Sequence, residues 1–262
     1  MTKSKKRNVK YLAISVASVC AFFLIWYLIA SVLHLTSETT LPGPDVVLKT
    51  FFAKFKETAP DGATMVEHIG SSVEITLLGY FLGCVIGVPL GIAMAWYKPV
   101  DMFVRPLFDI LKPIPGIAWV PLFIVFFGIG ILSKVAVIFI SVLISVVINS
   151  YTGIKQTKDV HLWVGQCFGA TRQQMLFRIA IPTALPYIMA GLRIALSAGW
   201  LSIVGAEMLG ATKGLGFMIQ QARGIQRPDI IIAGMIAIAI IGALLSWILS
   251  LVERKVVKGV KH

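Results

Sequence analysis

The chain has 262 residues, of which 57% are hydrophobic and only 14% are charged, whereas soluble domains are about 45–50% apolar and about 25% charged. This composition excludes an ordinary cytosolic enzyme, an intrinsically disordered chain and a collagen-like repeat. The net charge of +12 would suit nucleic-acid binding, but the charges lie between long uncharged segments. The sequence therefore predicts an all-α polytopic membrane protein with a lipid bilayer around it.

Six segments are predicted to cross the membrane as helices. A crossing needs about 20 mostly apolar residues, and irregular backbone cannot face lipid. Five stretches without Asp, Glu, Lys or Arg are long enough, and a sixth is divided by Arg193. The basic N-terminus is followed by an apolar run too long for a signal peptide, so we interpret it as an uncleaved first span. The predicted spans are 11–37, 75–97, 113–133, 135–154, 179–206 and 230–252.

The basic residues predict which side each loop occupies. With six spans, one side holds the segments 1–10, 98–112, 155–182 and 253–262, which carry 16 Lys and Arg residues against four acids. The other side carries seven Lys and Arg residues against eight acids. Because basic residues concentrate in cytoplasmic loops, we predict an N-in, C-in topology. The positive charge is then a topology signal, and no nucleic-acid partner is expected.

Four regions follow from this assignment. A short amphipathic helix is predicted at Val46–Phe55, on the extracytoplasmic side. The regions are a basic N-terminus with the first transmembrane helix (1–35), an extracytoplasmic segment (36–73), a five-helix core (74–252) that includes a cytoplasmic loop (155–185), and a basic cytoplasmic C-terminus (253–262).

A row of glycines marks the second span. Gly79, Gly83, Gly87 and Gly91 repeat every four residues, which makes one face of the helix nearly flat. Such a face lets another helix backbone approach closely. We interpret the row as a packing surface, with a role in gating as the alternative.

No motif for catalysis, nucleotide binding or metal binding is present. The sequence lacks the GxxxxGK[ST], HExxH and GxSxG patterns, and its histidines and three cysteines have no ligand spacing. We therefore predict no enzyme activity, no metal and no cofactor. Any ATP that drives transport must be bound by a partner subunit.

The cytoplasmic loop carries the most informative pattern. Its apolar residues are interrupted by Gly165, Gly169, Pro182 and Pro186. The pattern predicts a short amphipathic helix, a sharp glycine turn, a second helix from Thr171 and a stop at Pro182. Two short helices of this kind suit insertion into the groove of a partner protein.

This loop resembles the EAA loop of ABC importer permeases, whose usual form is E-A-A-x3-G-x9-I-x-L-P. Gly169, Ile179 and Pro182 match that form, while Trp163, Val164 and Gly165 stand at the E-A-A positions and Ile181 replaces the usual Leu. The segments 113–122, 127–130 and 205–216 resemble the nitrate/sulfonate/taurine branch of these permeases.

The resemblance implies a fold, partners and a function. The fold is that of type I ABC importer permeases (MetI-like), working as a homodimer in a bacterial inner membrane with two cytoplasmic ATPase subunits and an extracytoplasmic solute-binding protein. The solute would be a small anion such as a sulfonate, taurine or nitrate. The residues implied in coupling to the ATPase are Trp163, Val164, Gly165, Gly169, Ala170, Thr171, Ile179 and Pro182.

Four further residues are candidates for the translocation pathway or its gate. Arg193 lies inside the fifth span, where it either reaches the cytoplasmic surface or faces the pathway. Glu207, near the outer end of that span, either lines an outer gate or forms an ion pair or accepts backbone hydrogen bonds. Trp119 and Trp200 either line the pathway or pack against neighbouring helices.

Other functional classes remain as alternatives. A stand-alone secondary carrier would show two repeated halves with discontinuous helices, and no internal repeat is visible in this chain. A membrane-embedded enzyme or an assembly scaffold is the third possibility. Co-purification with an ATPase separates these from an ABC permease.

Overall fold

The computed structural model describes residues 3–33, 35–37 and 39–258 and is helical along most of this length. The ends of the basic segments 1–10 and 253–262 lie outside the described residues. The predicted amphipathic helix at Val46–Phe55 is confirmed as α2. The helices are α1 (Lys3–Tyr27), α2 (Pro44–Ala53), α3 (Met65–Trp96), α4 (Lys98–Leu111), α5 (Val120–Phe127), α6 (Ile131–Lys155), α7 (Asp159–Cys167), α8 (Arg172–Met175), α9 (Ile181–Gly210), α10 (Leu215–Gly224) and α11 (Pro228–Lys258).

Two compact units are distinguished by their internal contacts. The first comprises the chain up to Val66 together with Met218–Ala237. Within it, the Thr50 hydroxyl donates to the Asp229 carboxylate (2.8 Å), and the buried Lys54 ammonium donates to the Ala63 carbonyl (2.9 Å). The first bond connects α2 to the start of α11, and the second closes the chain between α2 and α3 on itself.

The second unit comprises Glu67–Phe217 and Ile238 onwards. Helices α6 and α9 pack along each other at its centre. Small residues on α9 permit this contact, because a Cβ at Gly199 would lie 3.1 Å from both Ile138 and Val142 of α6. This unit contains every site residue predicted from the sequence.

The glycine row of α3 packs against α6. A Cβ added to Gly79 would lie 2.7 Å from the Ile138 side chain, and one added to Gly91 would lie 2.7 Å from Ser150. Gly83 and Gly87 face Val142 and Val146 in the same way. The structure thus favours the packing interpretation of this row. Because the contacts advance in the same direction along both helices, α3 and α6 run parallel.

This parallel arrangement bears on the number of crossings. Among the described residues, five helices are long and apolar enough to span a membrane, and the pair Lys98–Leu111 and Gly116–Phe127 adds a sixth crossing if it counts as one bent span. Since α6 begins level with the start of α3, the chain between Trp96 and Ile131 must return across the membrane. The part of the pair that follows α4, Gly116–Phe127, runs back along α6 towards its start and makes that return, which gives six crossings.

The third predicted span differs from a regular helix. Within 113–133, one 3₁₀ turn (Gly116–Trp119) and the eight residues of α5 are helical. Pro113, Pro115 and Pro121 remove backbone donors at its entry, as expected for an irregular start. The turn at Gly128–Gly130 then separates α5 from α6. The regular helix in the predicted span 113–133 is therefore short, because the prolines and glycines limit it.

Candidate functional site

The predicted glycine turn lies between α7 and α8. Gly169 has φ +75°, a conformation that glycine adopts without steric cost. The Ala170 N–H donates to the Gly165 carbonyl (2.9 Å) and the Gly169 N–H to the Gln166 carbonyl (2.9 Å). This pair of bonds is a Schellman motif, which ends a helix by satisfying its last carbonyls.

A capping box starts the next helix only two residues later. The Thr171 hydroxyl accepts the Gln174 N–H (3.3 Å), and the Gln174 side chain accepts the Thr171 N–H (2.8 Å). The Arg172 guanidinium donates to the Trp96 carbonyl at the end of α3 (3.0 Å) and lies over the Tyr97 ring. Backbone chemistry therefore fixes the turn, and Arg172 attaches it to the helix bundle.

The two arms of the turn pack through small and apolar residues. Gly165 is buried, and a Cβ there would lie 2.8 Å from Ile179 and 3.5 Å from Met175. Trp163, on the opposite face of α7, is 61% exposed, and Phe168, the residue that follows α7, is 88% exposed. The glycine and isoleucine of the sequence pattern thus pack together, while large apolar side chains remain available to a partner.

Pro182 does not end the second arm, so that prediction is corrected. The chain from Arg172 to Gly210 is one helical stretch of 39 residues. Its π-helical turn at Leu176–Ala180 accommodates Pro182, which lies in the first turn of α9, where a missing N–H is tolerated. The second arm is therefore continuous with a membrane-spanning helix.

At the outer end of the same helix, Glu207 is the centre of a buried polar cluster. Its side chain is 1% exposed. The carboxylate accepts the Ser72 hydroxyl (2.7 Å) from α3 and the Gly216 N–H (2.9 Å) from α10. The Ser72 hydroxyl in turn accepts the Leu215 N–H (2.9 Å). Glu207 was considered for an outer gate, for an ion pair or as an acceptor of backbone hydrogen bonds. This geometry favours its role as an acceptor of backbone hydrogen bonds.

Two basic side chains complete the cluster. The His68 ring nitrogen Nδ1 accepts the Gly214 N–H (3.1 Å). Lys134, buried at the start of α6, interacts electrostatically with Glu207. The loop between α9 and α10 and the first residues of α10 are therefore held against α3 by His68 and Ser72 of α3 and by Glu207 of α9. Lys213 on this loop also pairs with the exposed Glu67 (3.2 Å).

Three candidates for the translocation pathway remain, namely Arg193, Trp200 and Trp119. Arg193 is exposed and pairs with Glu253 of α11 (3.3 Å). Trp200 is buried, and its indole N–H donates to the Ile238 carbonyl (3.1 Å), as expected of a packing residue. Trp119 is half-buried and stacks on Phe123.

The sequence did not point to several residues that the structure brings to these positions. Ser72 and Glu207 are 135 residues apart, and a serine in an apolar helix carries no signal of its own. In the sequence, Arg172 was only one of the basic residues from which the topology was predicted. Lys134 could have been suspected, because it interrupts two apolar runs and a buried lysine requires a partner.

Comparison with known proteins identifies the family. Residues 87–262 match the family described as binding-protein-dependent transport system inner membrane component. The chain belongs to this family. The permease is 33% identical to the taurine transport system permease protein TauC of Escherichia coli, a match that covers 94% of this chain and 89% of that protein. It is 32% identical to the nitrate import permease protein NrtB of Synechococcus elongatus, over 77% of this chain and 73% of that protein.

A solved structure shows the same fold. The permease matches a chain of the inward-facing MetNI methionine ABC transporter with a TM-score of 0.64 and 18% identity, over 76% of this chain and 96% of that chain. The resemblance to ABC importer permeases and the type I, MetI-like fold are thereby confirmed. The permease is a multi-pass membrane protein.

Proposed function

We propose that the permease forms the translocation pathway of a bacterial inner-membrane ABC importer, as a homodimer coupled to two cytoplasmic ATPase subunits. Residues 159–182 would contact the ATPase. The observation that supports this assignment is the exposure of Trp163 on α7 and of Phe168 directly after it, on a turn defined by hydrogen bonds. Large aromatic side chains on a fixed element are typical anchors of protein interfaces.

We propose that coupling passes along a continuous helix. The second arm of the turn continues into the 39-residue stretch that ends beside Glu207. Closure of the ATPase dimer would move the inner end of this stretch and, through its length, the outer loop at residues 211–214. The N-in, C-in topology predicted from the basic residues places the turn on the ATPase side.

The proposed solute is a small anion with a sulfonate or nitrate-like group, delivered by an extracytoplasmic binding protein. Two similar proteins are named for taurine and nitrate transport, and both solutes carry a planar or tetrahedral oxyanion group. Recognition of the individual solute is assigned to the binding protein.

Reconstitution tests this function. Vesicles containing the permease, and the ATPase and binding protein encoded by neighbouring genes, should take up radiolabelled taurine or nitrate when ATP is supplied. The permease alone should neither bind nor hydrolyse nucleotide. Uptake by the permease without the ATPase, driven by an ion gradient, would instead support a secondary carrier. Trp163→Asp should lower the amount of ATPase that co-purifies, whereas the same change at the distant, exposed Phe52 should not.

A further inference from the structure

Helix α4 lies across the end of the helix bundle. Its first residue, Lys98, follows directly after the end of α3, yet Phe108, ten residues later, still packs against Met94 of α3 and Val147 of α6. Met94 lies in the last turn of α3, and Val147 lies in the second half of α6. The following segment Gly116–Phe127 leaves α4 at 88°. Helix α4 therefore remains at one depth, at the same end of α3 and α6 where the Gly169 turn begins.

Three faces of α4 differ in chemistry. Val100, Val104 and Phe108 pack against α3 and α6. A second face exposes Phe103 at 77%, Leu107 at 55% and Ile110 at 68%. The spacing of these exposed residues by three and four places them on one side of the helix. An apolar face of this size requires cover by lipid or by another protein.

The third face is basic. Lys98, Arg105 and Lys112 recur every seven residues, close to two helical turns, and so form one stripe opposite the exposed apolar face. Arg105 and Lys112 are ion-paired to Asp101 and Asp109 but remain about half exposed. On this side of the bundle, segments 98–112 and 155–178 together carry seven Lys and Arg residues against three Asp residues.

A cavity opens between the basic stripe and α6. Its volume is about 170 Å³, and its polar rim consists of Arg105, Lys112, Tyr151 and the Asp109 carboxylate, which is ion-paired to Lys112. Its floor is apolar, with Met94, Phe108 and Val147 among the lining residues. The Arg105 guanidinium lies over the Tyr151 ring and donates to its hydroxyl, and the Lys155 ammonium approaches the ring from α6. A cationic rim above an apolar floor matches an anionic phospholipid.

We propose that α4 is an interfacial helix that binds anionic phospholipid of the cytoplasmic leaflet. The phosphate lies at the rim formed by Arg105 and Lys112, and acyl chains cover Phe103, Leu107 and Ile110. Helices with opposed apolar and basic faces lie in the membrane interface, and basic pockets between cytoplasmic helix ends bind anionic head groups. A protein interface is a poorer fit, because interface cores are depleted in lysine. Only the choice of leaflet rests on the topology proposed above.

Lipid binding to the purified permease tests the head-group site. The permease is offered equal amounts of phosphatidylglycerol and phosphatidylcholine, and the bound lipid is measured by native mass spectrometry. The variant Lys98→Gln/Lys112→Gln removes two stripe charges but keeps the Arg105–Asp101–Tyr151 contacts, so α4 stays in place. We expect the wild type to bind phosphatidylglycerol in preference to phosphatidylcholine. The variant should bind phosphatidylglycerol roughly fivefold or more weakly, since each basic residue near an anionic surface contributes about fivefold to the affinity.

The matched control is Lys49→Gln/Lys56→Gln, which removes the same charge from exposed lysines of the extracytoplasmic segment. This control should bind phosphatidylglycerol as the wild type does. Equal binding of both lipids by the wild type, or an equal loss in the control, overturns the proposal.

A nitroxide label at Phe103→Cys tests the apolar face, in a permease whose native cysteines are replaced by serine. In phosphatidylglycerol vesicles the label should collide more often with oxygen, which dissolves in the acyl layer, than with a water-soluble nickel complex. Shielding from both quenchers would mean that a second copy or another protein covers this face. That result, or preferential quenching by nickel, contradicts the proposal.

Discussion

The two ends of the helical stretch Arg172–Gly210 are fixed by different means. At the inner end, hydrogen bonds between residues at most five apart define the turn at Gly169 and Thr171. At the outer end, Glu207 and Ser72 meet across 135 residues of sequence and are buried. The comparison teaches that an exposed turn is specified by local backbone chemistry, whereas the buried end depends on polar partners that only the complete fold brings together.

The largest effect is expected at the buried end. Glu207→Ala leaves the Ser72 hydroxyl and the Gly216 N–H without their acceptor in a buried site, and each unpaired group costs about 1–3 kcal/mol. We expect a loss of unfolding free energy on the order of 3 kcal/mol. The measurement is the midpoint of thermal unfolding in detergent. Glu207→Gln keeps an acceptor oxygen and should lose less unfolding free energy. Equal unfolding midpoints for Glu207→Ala and the wild type would show that the cluster does not stabilise the fold.

The next largest effect is expected at Gly169. Leucine can occupy φ +75° only at a cost of roughly 1–2 kcal/mol, so Gly169→Leu should distort the turn and displace the exposed face of α7. No atom within 4 Å of the Cβ position opposes a side chain there, so any defect comes from the backbone conformation. We expect severalfold slower uptake at normal membrane levels.

Asparagine supplies the matched control, because it tolerates this conformation better than leucine. Gly169→Asn should transport nearly as fast as the wild type. If Gly169→Leu also transports at the wild-type rate, this turn does not couple the ATPase to transport.

A smaller effect is expected at Thr171. Thr171→Ala removes the acceptor for the Gln174 N–H, and loss of such a cap costs about 1 kcal/mol. Because this end is exposed, the change should be local: faster amide hydrogen exchange in Arg172–Met175 with an unaltered unfolding midpoint. Thr171→Ser retains the hydroxyl and should exchange at the wild-type rate. A large fall in the midpoint for Thr171→Ala would show that the two ends are less different than proposed.

The smallest effect is expected between the two ends. Arg193 and Glu253 form an exposed pair, and exposed pairs contribute about 0–1 kcal/mol. Arg193→Gln should therefore change neither the unfolding midpoint nor uptake beyond this small amount. A strong loss of uptake with an unchanged midpoint would instead assign Arg193 to the translocation pathway.

Much of the fold followed from the sequence because its signals are local or periodic. Apolar runs located five of the spans, the spacing of Gly79 and Gly91 revealed a close helix contact, and Gly169 and Thr171 identified a turn with a new helix start. Each of these features depends on neighbouring residues and on backbone geometry, which the sequence records directly.

The errors came from features that depend on distant parts of the chain. Pro182 was expected to end a helix, but a preceding π-helical turn lets the helix continue. The segment 113–133 was predicted as a span with an irregular start, but its charge-free composition gave no measure of how short its regular helix is. The partners of Glu207 could not be identified, because Ser72 and Gly216 become its neighbours only after α3 and α10 are in place.

The contact between α3 and α6 constrains how the permease can change shape. At each of Gly79, Gly83, Gly87 and Gly91 an added Cβ would lie 3.0 Å or less from α6, and because the helices are this close along four successive contacts we expect the two to move as a single rigid body. Hinges must then lie where this pair ends, at Tyr97 before α4 and at residues 156–158 before α7. Alternating access is accordingly expected to arise from rotation of the α3–α6 pair as a lever, and not from sliding of one helix along the other.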